Sequence, residues 1–391
     1  MSLREALNGH RNSFGILRLV LASAVIFDHA FPLGGWGTAP FKAFWRDQQS
    51  LGGLAVLGFF AISGYLVGKS AQNADVVQFL WRRFLRIMPG FWAALLVGAF
   101  VVGPIYWVLE GNDLAAYLTL GPDGPVAYLY RNWLLTIGQY QIHDIWAATT
   151  PFGLAGFGGP INGSIWTLVY EFTCYLLLAG LLAFGIVRKA KVVIPVVAAL
   201  LLALQIVNQV IPDGAGSVVP FFGDHWRVEF GFIFFVGAAF AVYSDRVPYS
   251  NAFGLLSGLV AAGTLVVGGF NTIGFVAFAY FLLYLAARLP VAAQRVGAVN
   301  DYSYGIYLYG WIAEQVLAYA GVHTWGYLPY ALLSLLLAAV VGVLSWHLVE
   351  KQALKLKDRG PGRGIAGPVA RVRARFAREA PAPAPAPAEA T

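Results

Sequence analysis

The sequence predicts an all-α fold, a polytopic transmembrane helical bundle, and three observations carry that prediction. Of 391 residues, 59% are hydrophobic and 12% charged, about half the charge of a soluble domain. Apolar runs near the ~20 residues that cross a bilayer recur from end to end. The basic residues collect on one side of those runs, as they do in membrane proteins. We read about ten spans, over 14–31, 51–68, 88–109, 163–187, 192–211, 228–243, 252–269, 272–287, 302–321 and 327–348. The first is no signal peptide, because Asp28-His29 stands where a small-residue cleavage site would be expected.

Alternation from a cytoplasmic N-terminus puts 21 Lys and Arg inside and only Lys42, Arg46, Arg131 and Arg227 outside, with Arg18 inside its own helix. Both termini are therefore expected to be cytoplasmic. The longest loops fall outside. The one over 110–162 is rich in Gly, Pro and aromatics, and its stretch 128–141 is expected to lie as an interfacial helix. Residues 1–357 form the membrane domain. Residues 358–391, basic and then Ala-Pro-rich, form a disordered cytoplasmic tail with a lipid-attracting start.

The net charge of +7 belongs to this sidedness, so the bilayer is the expected partner and nucleic acid is not. The single cysteine, Cys174, excludes an internal disulfide and a C-x-x-C metal or redox motif. No metal site is expected.

Four stretches stand out within apolar surroundings. The first span carries Arg18, Asp28 and His29. Eleven residues are close to three helical turns, so Arg18 and His29 share a stripe and lie roughly 16 Å apart. Ionisable groups in a membrane helix cost a few kcal/mol and usually face protein or water. The competing reading is that both are interfacial, Arg18 snorkelling to one surface. A histidine is the natural general base for chemistry on a hydroxyl or thioester. Asp28 points about 100° away from His29. The second span opens with Gly52, Gly53 and Gly58, which suit close helix packing. Arg83 and Arg86 share a helical face at the cytoplasmic surface, where paired guanidiniums suit phosphates, or merely anchor the chain to lipid headgroups. In the fourth span Glu171 lies ~13 Å deep, in line with Thr167 and Tyr175. There it could orient His29, pair with Arg18, or serve as a structural hydrogen-bond node.

Together these stretches resemble the membrane-bound acyltransferase-3 family, the bacterial O-acyltransferases of surface polysaccharides and other glycans. The carriers are Arg18-x10-His29, Phe59-Phe-Ala-Ile-Ser-Gly64, Arg83-x-x-Arg86 with Ile87 and Pro89, and Gly163-Ser-Ile-Trp-Thr-Leu-x-x-Glu171. Asp301-Tyr-Ser-Tyr-Gly-Ile-Tyr-Leu308 and Ser345-Trp-His-Leu-Val-Glu350-Lys351 complete the set. One departure is visible: the family often follows the Tyr-Gly-Ile-Tyr-Leu run with a histidine and a proline, whereas here Gly310 and Trp311 stand nearby and neither appears, so a role given to that histidine does not transfer.

The resemblance implies transfer of an acyl group, commonly acetyl, from cytoplasmic acyl-CoA to a hydroxyl of an extracytoplasmic glycan or lipid-linked saccharide. Acyl-CoA is then a donor substrate, with no bound cofactor. The same resemblance implies that Arg83 and Arg86 meet the coenzyme's phosphates, that Arg18 faces the inner part of the path, and that His29 does acid–base work or carries the acyl group. Glu171, Asp28 and the Asn162, Ser164 and Trp166 entry would support His29 or hold the acceptor. The setting implied is the bacterial inner membrane, alongside glycan-assembly partners. The competing class is a secondary transporter of an anionic or saccharide substrate, which buried charge and glycine-broken helices also suit. On the enzyme reading the ~16 Å between Arg18 and His29 must be spanned by the donor's acyl-bearing arm or closed by a movement.

Overall fold

The computed structural model describes residues 1–8, 12–39, 41–72, 75–118 and 121–358. Its ten long helices are α1 (Phe14–Leu33), α2 (Leu51–Ala71), α3 (Val76–Val97), α4 (Leu168–Ala183), α5 (Val193–Val210), α6 (His225–Val242), α7 (Asn251–Val267), α8 (Phe275–Arg288), α9 (Ser303–Tyr319) and α10 (Tyr327–Ser345). No strand occurs among the described residues. With the short 3-10 or π turns that extend four of them, all but α7 and α9 are long and apolar enough to cross a membrane. The remaining two have 17 residues each, about 25 Å at helical rise. The expected tail lies outside the described residues, apart from Asp358.

Each predicted span has its helix, and two local expectations need correcting. The third span was placed at 88–109, with Arg83 and Arg86 at the surface before it. Instead the Asp75 carboxylate accepts from the Val77 and Gln78 amides, 3.1 Å each. From that cap one apolar rod runs Val76–Leu109 through a π turn at Gly98–Val102. Its first turns carry the arginines because other side chains enclose them, as described below. The interfacial helix expected over 128–141 ends early, spanning Pro125–Asn132. Asn132 then accepts from the Gly138 and Gln139 amides and donates to the Gln139 carbonyl at 2.7 Å. That side chain turns the irregular continuation back on itself and satisfies backbone groups a helix would otherwise have paired.

Charge, depth and direction organise the bundle. α2 runs antiparallel to α1, with Ser50 Oγ at its start donating to Asp28 Oδ2 near the end of α1 (2.9 Å). α9 runs parallel to α1: Asp301, just before α9, meets Arg18, while Glu314 meets His29. Gly310 of α9 faces Ile26 of α1 between them. α6 runs parallel to α2, at backbone range. A Cβ on Gly64 would stand 2.0 Å from the Phe234 carbonyl oxygen, and one on Gly237 would stand 2.2 Å from that of Ala61. Between membrane helices, tight packing of this kind replaces the hydrophobic drive available in water. The stacked rings of Phe60 and Phe230, 4.5 Å apart, continue the seam.

Gly64→Ala therefore forces α2 and α6 apart. We expect a loss of about 1–3 kcal/mol, read as a lower Tm of the detergent-solubilised protein, with Gly180→Ala, where a Cβ meets nothing within 4 Å, as the neutral control.

Candidate active site

The predicted polar residues separate into two groups at opposite ends of the α1–α9 pair. At the end with most of the basic residues, a cavity of about 110 Å³ is lined by Arg18, Ser63, Arg83, Arg86, Glu171 and Tyr175, with Phe59, Tyr304 and Tyr307 among its aromatic walls. Five of the six sequence stretches singled out above reach this one space. It is far larger than the ~10–15 Å³ that admits a water.

Asp301 organises the cations. Its Oδ2 accepts from Arg86 Nη2 at 2.5 Å and lies 3.1 Å from Arg18 Nη2. Its Oδ1 accepts from Ser303 Oγ at 2.6 Å. Burial alone would raise this carboxyl, but the Arg86 and Arg18 guanidiniums and the Ser303 hydrogen bonds outweigh it and hold it at about 2. Arg83 differs. Among the described residues no carboxylate pairs with it, and its guanidinium lies 5.8 Å from the centre of the Tyr175 ring. It is thus a cavity arginine without a carboxylate partner among the described residues.

Glu171 takes the third of its three open roles. It accepts from Ser63 Oγ at 3.0 Å and from the Tyr175 hydroxyl. Ser63 lies thirteen residues along α2 from Ser50, the residue bonded to Asp28, so Glu171 is roughly 20 Å from the level of His29. The structure does not bring Glu171 to His29, and Arg18 has Asp301 as its partner. Glu171 is a wall of the cavity, bonded to Ser63 and Tyr175, and of the roles left open for it, orienting His29 as a catalytic partner does not fit this placement.

At the other end, His29 Nδ1 faces Glu314 Oε2 at 3.9 Å. The edge of its ring meets Trp311, with centroids 5.0 Å apart. Glu314 is fully buried and, among the described residues, neither of its oxygens has a hydrogen-bond partner; His29 Nδ1 has none among them either. Unpaired buried polar atoms are costly, and these face one another slightly beyond hydrogen-bond range, a separation that catalytic pairs often show before substrate tightens them. Glu314 was missed in the sequence. The available signal was an acidic residue on a helix whose other faces are apolar, thirteen positions after Asp301 as His29 is eleven after Arg18.

The remaining predicted residues are placed as follows. Asp28 ties α1 to the start of α2 through Ser50. Asn162 donates to the Leu308 carbonyl at 2.8 Å and accepts from the Ser164 amide. The Ser164 carbonyl accepts from the Tyr307 hydroxyl. Trp311 Nε1 donates to the Pro160 carbonyl at 3.0 Å, with Gly163 directly beneath its ring. Asn162 and Ser164 therefore clamp the entry of α4 against α9 and act by position. Trp166 faces away from this clamp, towards Trp226 and Phe230. Among the described residues no three His, Cys, Asp or Glu side chains gather as a metal site.

Residues 11–347 match the family model described as an acyltransferase domain. The chain belongs to the acyltransferase-3 family. This acyltransferase is 32% identical over 348 residues to an O-acetyl transferase of Shigella phage Sf6, covering 88% of this chain and 96% of the relative. It is 30% identical to Nodulation protein 10 of Rhizobium leguminosarum bv. viciae, over 90% of this chain and 96% of that protein. It is 26% identical to an exopolysaccharide production protein of Rhizobium meliloti (strain 1021), over 82% and 96%. No solved structure matches it. The chain is a multi-pass membrane enzyme that transfers acyl groups other than aminoacyl groups, and membership sets the transporter reading aside.

Because one buried carboxylate serves two partly buried guanidiniums, Asp301→Asn leaves both unpaired. We expect a loss of about 3–5 kcal/mol, measured as a drop in Tm at pH 7. The Asp301 carboxyl lies below its ordinary value of 3.8. Its stabilisation is therefore complete above pH ~4 and is lost only as pH falls towards 2. Wild type and variant should differ equally at pH 7 and pH 5.

Proposed function

We propose that this enzyme takes an acyl group, acetyl by the name of its phage relative, from acyl-CoA at the basic, cytoplasmic end of the bundle. It delivers the group to a hydroxyl of an extracytoplasmic glycan in the bacterial inner membrane. The observation that carries this reading is the pairing of α1 with α9. The pair holds a guanidinium-lined cavity at one end and a histidine–carboxylate couple at the other.

The residues divide the work by end. Arg83, the cavity arginine without a carboxylate, binds a donor phosphate, with Arg86 and Arg18 adding field rather than free donors. The donor's thioester arm then has to cover the ~16 Å between Arg18 and His29, by its own reach or by a movement of the helices, because Gly310 packs on Ile26 between them. Glu314 holds the Nδ1 proton of His29, leaving Nε2 as base. The acceptor hydroxyl gives its proton to Nε2 while its oxygen attacks the thioester carbonyl. The carbon–sulfur bond then breaks, the acyl ester is formed, and the departing coenzyme A thiolate takes the proton back from His29. Glu314 acts through His29 and so is a positioning residue. A base so held contributes roughly 10²–10⁴-fold in rate.

The test uses the full-length protein in nanodiscs with radiolabelled acetyl-CoA and glycan isolated from the source strain. His29→Ala should abolish transfer while the protein still accumulates; normal product would sink the assignment. Glu314→Gln should lower kcat about tenfold or more and alter the pH–rate profile, since the amide fixes the imidazole without its charge. Arg83→Ala should raise the KM for acetyl-CoA by about tenfold, the loss of one charge-assisted hydrogen bond, and leave kcat near wild type.

A further inference from the structure

A second cavity, of about 270 Å³, lies outside the site just described. Three segments build it: Thr136, Ile137 and Tyr140 from the long connection before α4; Trp166, Val169, Tyr170 and Thr173 on one face of α4 and its entry; and Phe221, Asp224 and Arg227 at the start of α6. α6 and α2 both begin at the His29 end, so the Phe221, Asp224 and Arg227 wall of the cavity stands at that end. The cavity reaches inward as far as Thr173, seven residues or ~10 Å below Trp166.

Its chemistry combines flat aromatic surfaces with polar edges. The rings of Trp166, Tyr170, Tyr140 and Phe221 supply the surfaces, and Tyr140 and Phe221 are 42% and 41% exposed. Asp224 Oδ2 accepts from the Tyr170 hydroxyl at 2.7 Å. Arg227 donates to the Phe221 carbonyl at 2.7 Å, and its guanidinium stacks 4.8 Å over the Phe221 ring. Arg227 Nε lies 3.8 Å from Asp224. Trp166 Nε1, the Tyr140 hydroxyl and the Thr136 hydroxyl make no hydrogen bond among the described residues. Apolar faces with a few convergent donors and acceptors mark a small-molecule site. Aromatic rings with a polar edge suit a ligand that has both an apolar face and hydroxyls. A pyranose ring has such faces and edges. A lipid chain would leave the polar edges unpaired, which is costly.

We propose that this cavity is a saccharide subsite that holds a neighbouring sugar of the acceptor glycan, beside rather than at the reacting hydroxyl. The inference rests on the acyl-transfer reading. Its link to the reaction is short: Trp166 stands three residues after Gly163, Gly163 lies under the Trp311 ring, and Trp311 meets His29. The aromatic clamp Gly163–Trp311 separates the subsite from the base, so the bound sugar and the acylated one are different units of one chain. The subsite then sets which glycan is presented and how long it must be, with no part in the chemistry.

The experiment compares acceptor lengths on the full-length enzyme in nanodiscs, with acetyl-CoA as donor. The acceptors are oligosaccharides released from the source strain's surface glycan by mild acid, and the monosaccharides from its complete hydrolysis. For Phe221→Ala and for Tyr140→Ala, both at exposed positions that do not threaten folding, we expect the oligosaccharide KM to rise about tenfold. The kcat and the KM for acetyl-CoA should stay within about twofold, and the monosaccharide KM should not move. Equal KM values for wild type and Tyr140→Ala with every oligosaccharide would overturn the subsite while leaving acyl transfer standing. No transfer by wild type to any acceptor would instead overturn the reading beneath it. If both variants lose activity with KM unchanged and anionic lipid restores it, the cavity holds a lipid headgroup and the proposal falls.

Discussion

The carboxylate of Asp301 is the interaction on which the basic end of this bundle depends. Two guanidiniums, from α1 and α3, converge on one of its oxygens while Ser303 occupies the other. Arginine within a membrane helix carries a cost of a few kcal/mol at least, and a buried pair is strongly destabilised when one partner is removed. Three helices are tied at one level by this triad. Because α9 runs parallel to α1, fixing Arg18 against Asp301 also fixes the register in which Glu314 arrives at His29. A structural cluster at one end thus sets the geometry of the couple at the other.

The same triad divides the arginines by role. Arg18 and Arg86 are engaged by protein, and Arg83 keeps its charge for the cavity it lines with Glu171, Ser63 and Tyr175. Two arginines three residues apart on one helix face look equivalent from spacing alone. Their difference comes from α9, which supplies a carboxylate to one and a tyrosine ring, that of Tyr304, to the same one. On the proposed function, the free arginine meets the donor and the paired one holds the wall.

Close backbone packing makes these placements firm. Gly64 and Gly237 bring α2 and α6 into mutual backbone contact, and Gly305 and Gly342 do the same for α9 and α10. Gly310 lets α9 come up against Ile26 of α1, and Trp311 next to it spans from His29 to the Pro160 carbonyl. The position at which the sequence departs from its family is therefore filled by a residue that braces the histidine and the entry of α4 together.

Ten long helices and their order, the shared stripe of Arg18 and His29, and the family itself were legible in the sequence alone. Hydrophobic runs and helical spacing are local properties, and the motifs are local strings. The start of α3 was missed because an arginine-bearing turn reads as surface until its partners are known. The choice among the three roles of Glu171 stayed open for a related reason: depth along one helix does not say which neighbour shares that depth. Glu314 and the separation of Arg83 from Arg86 were decided only by tertiary structure. Each depends on which helix lies beside which, in which direction and at what register, and a chain's spacing holds none of that until its buried charges have found one another.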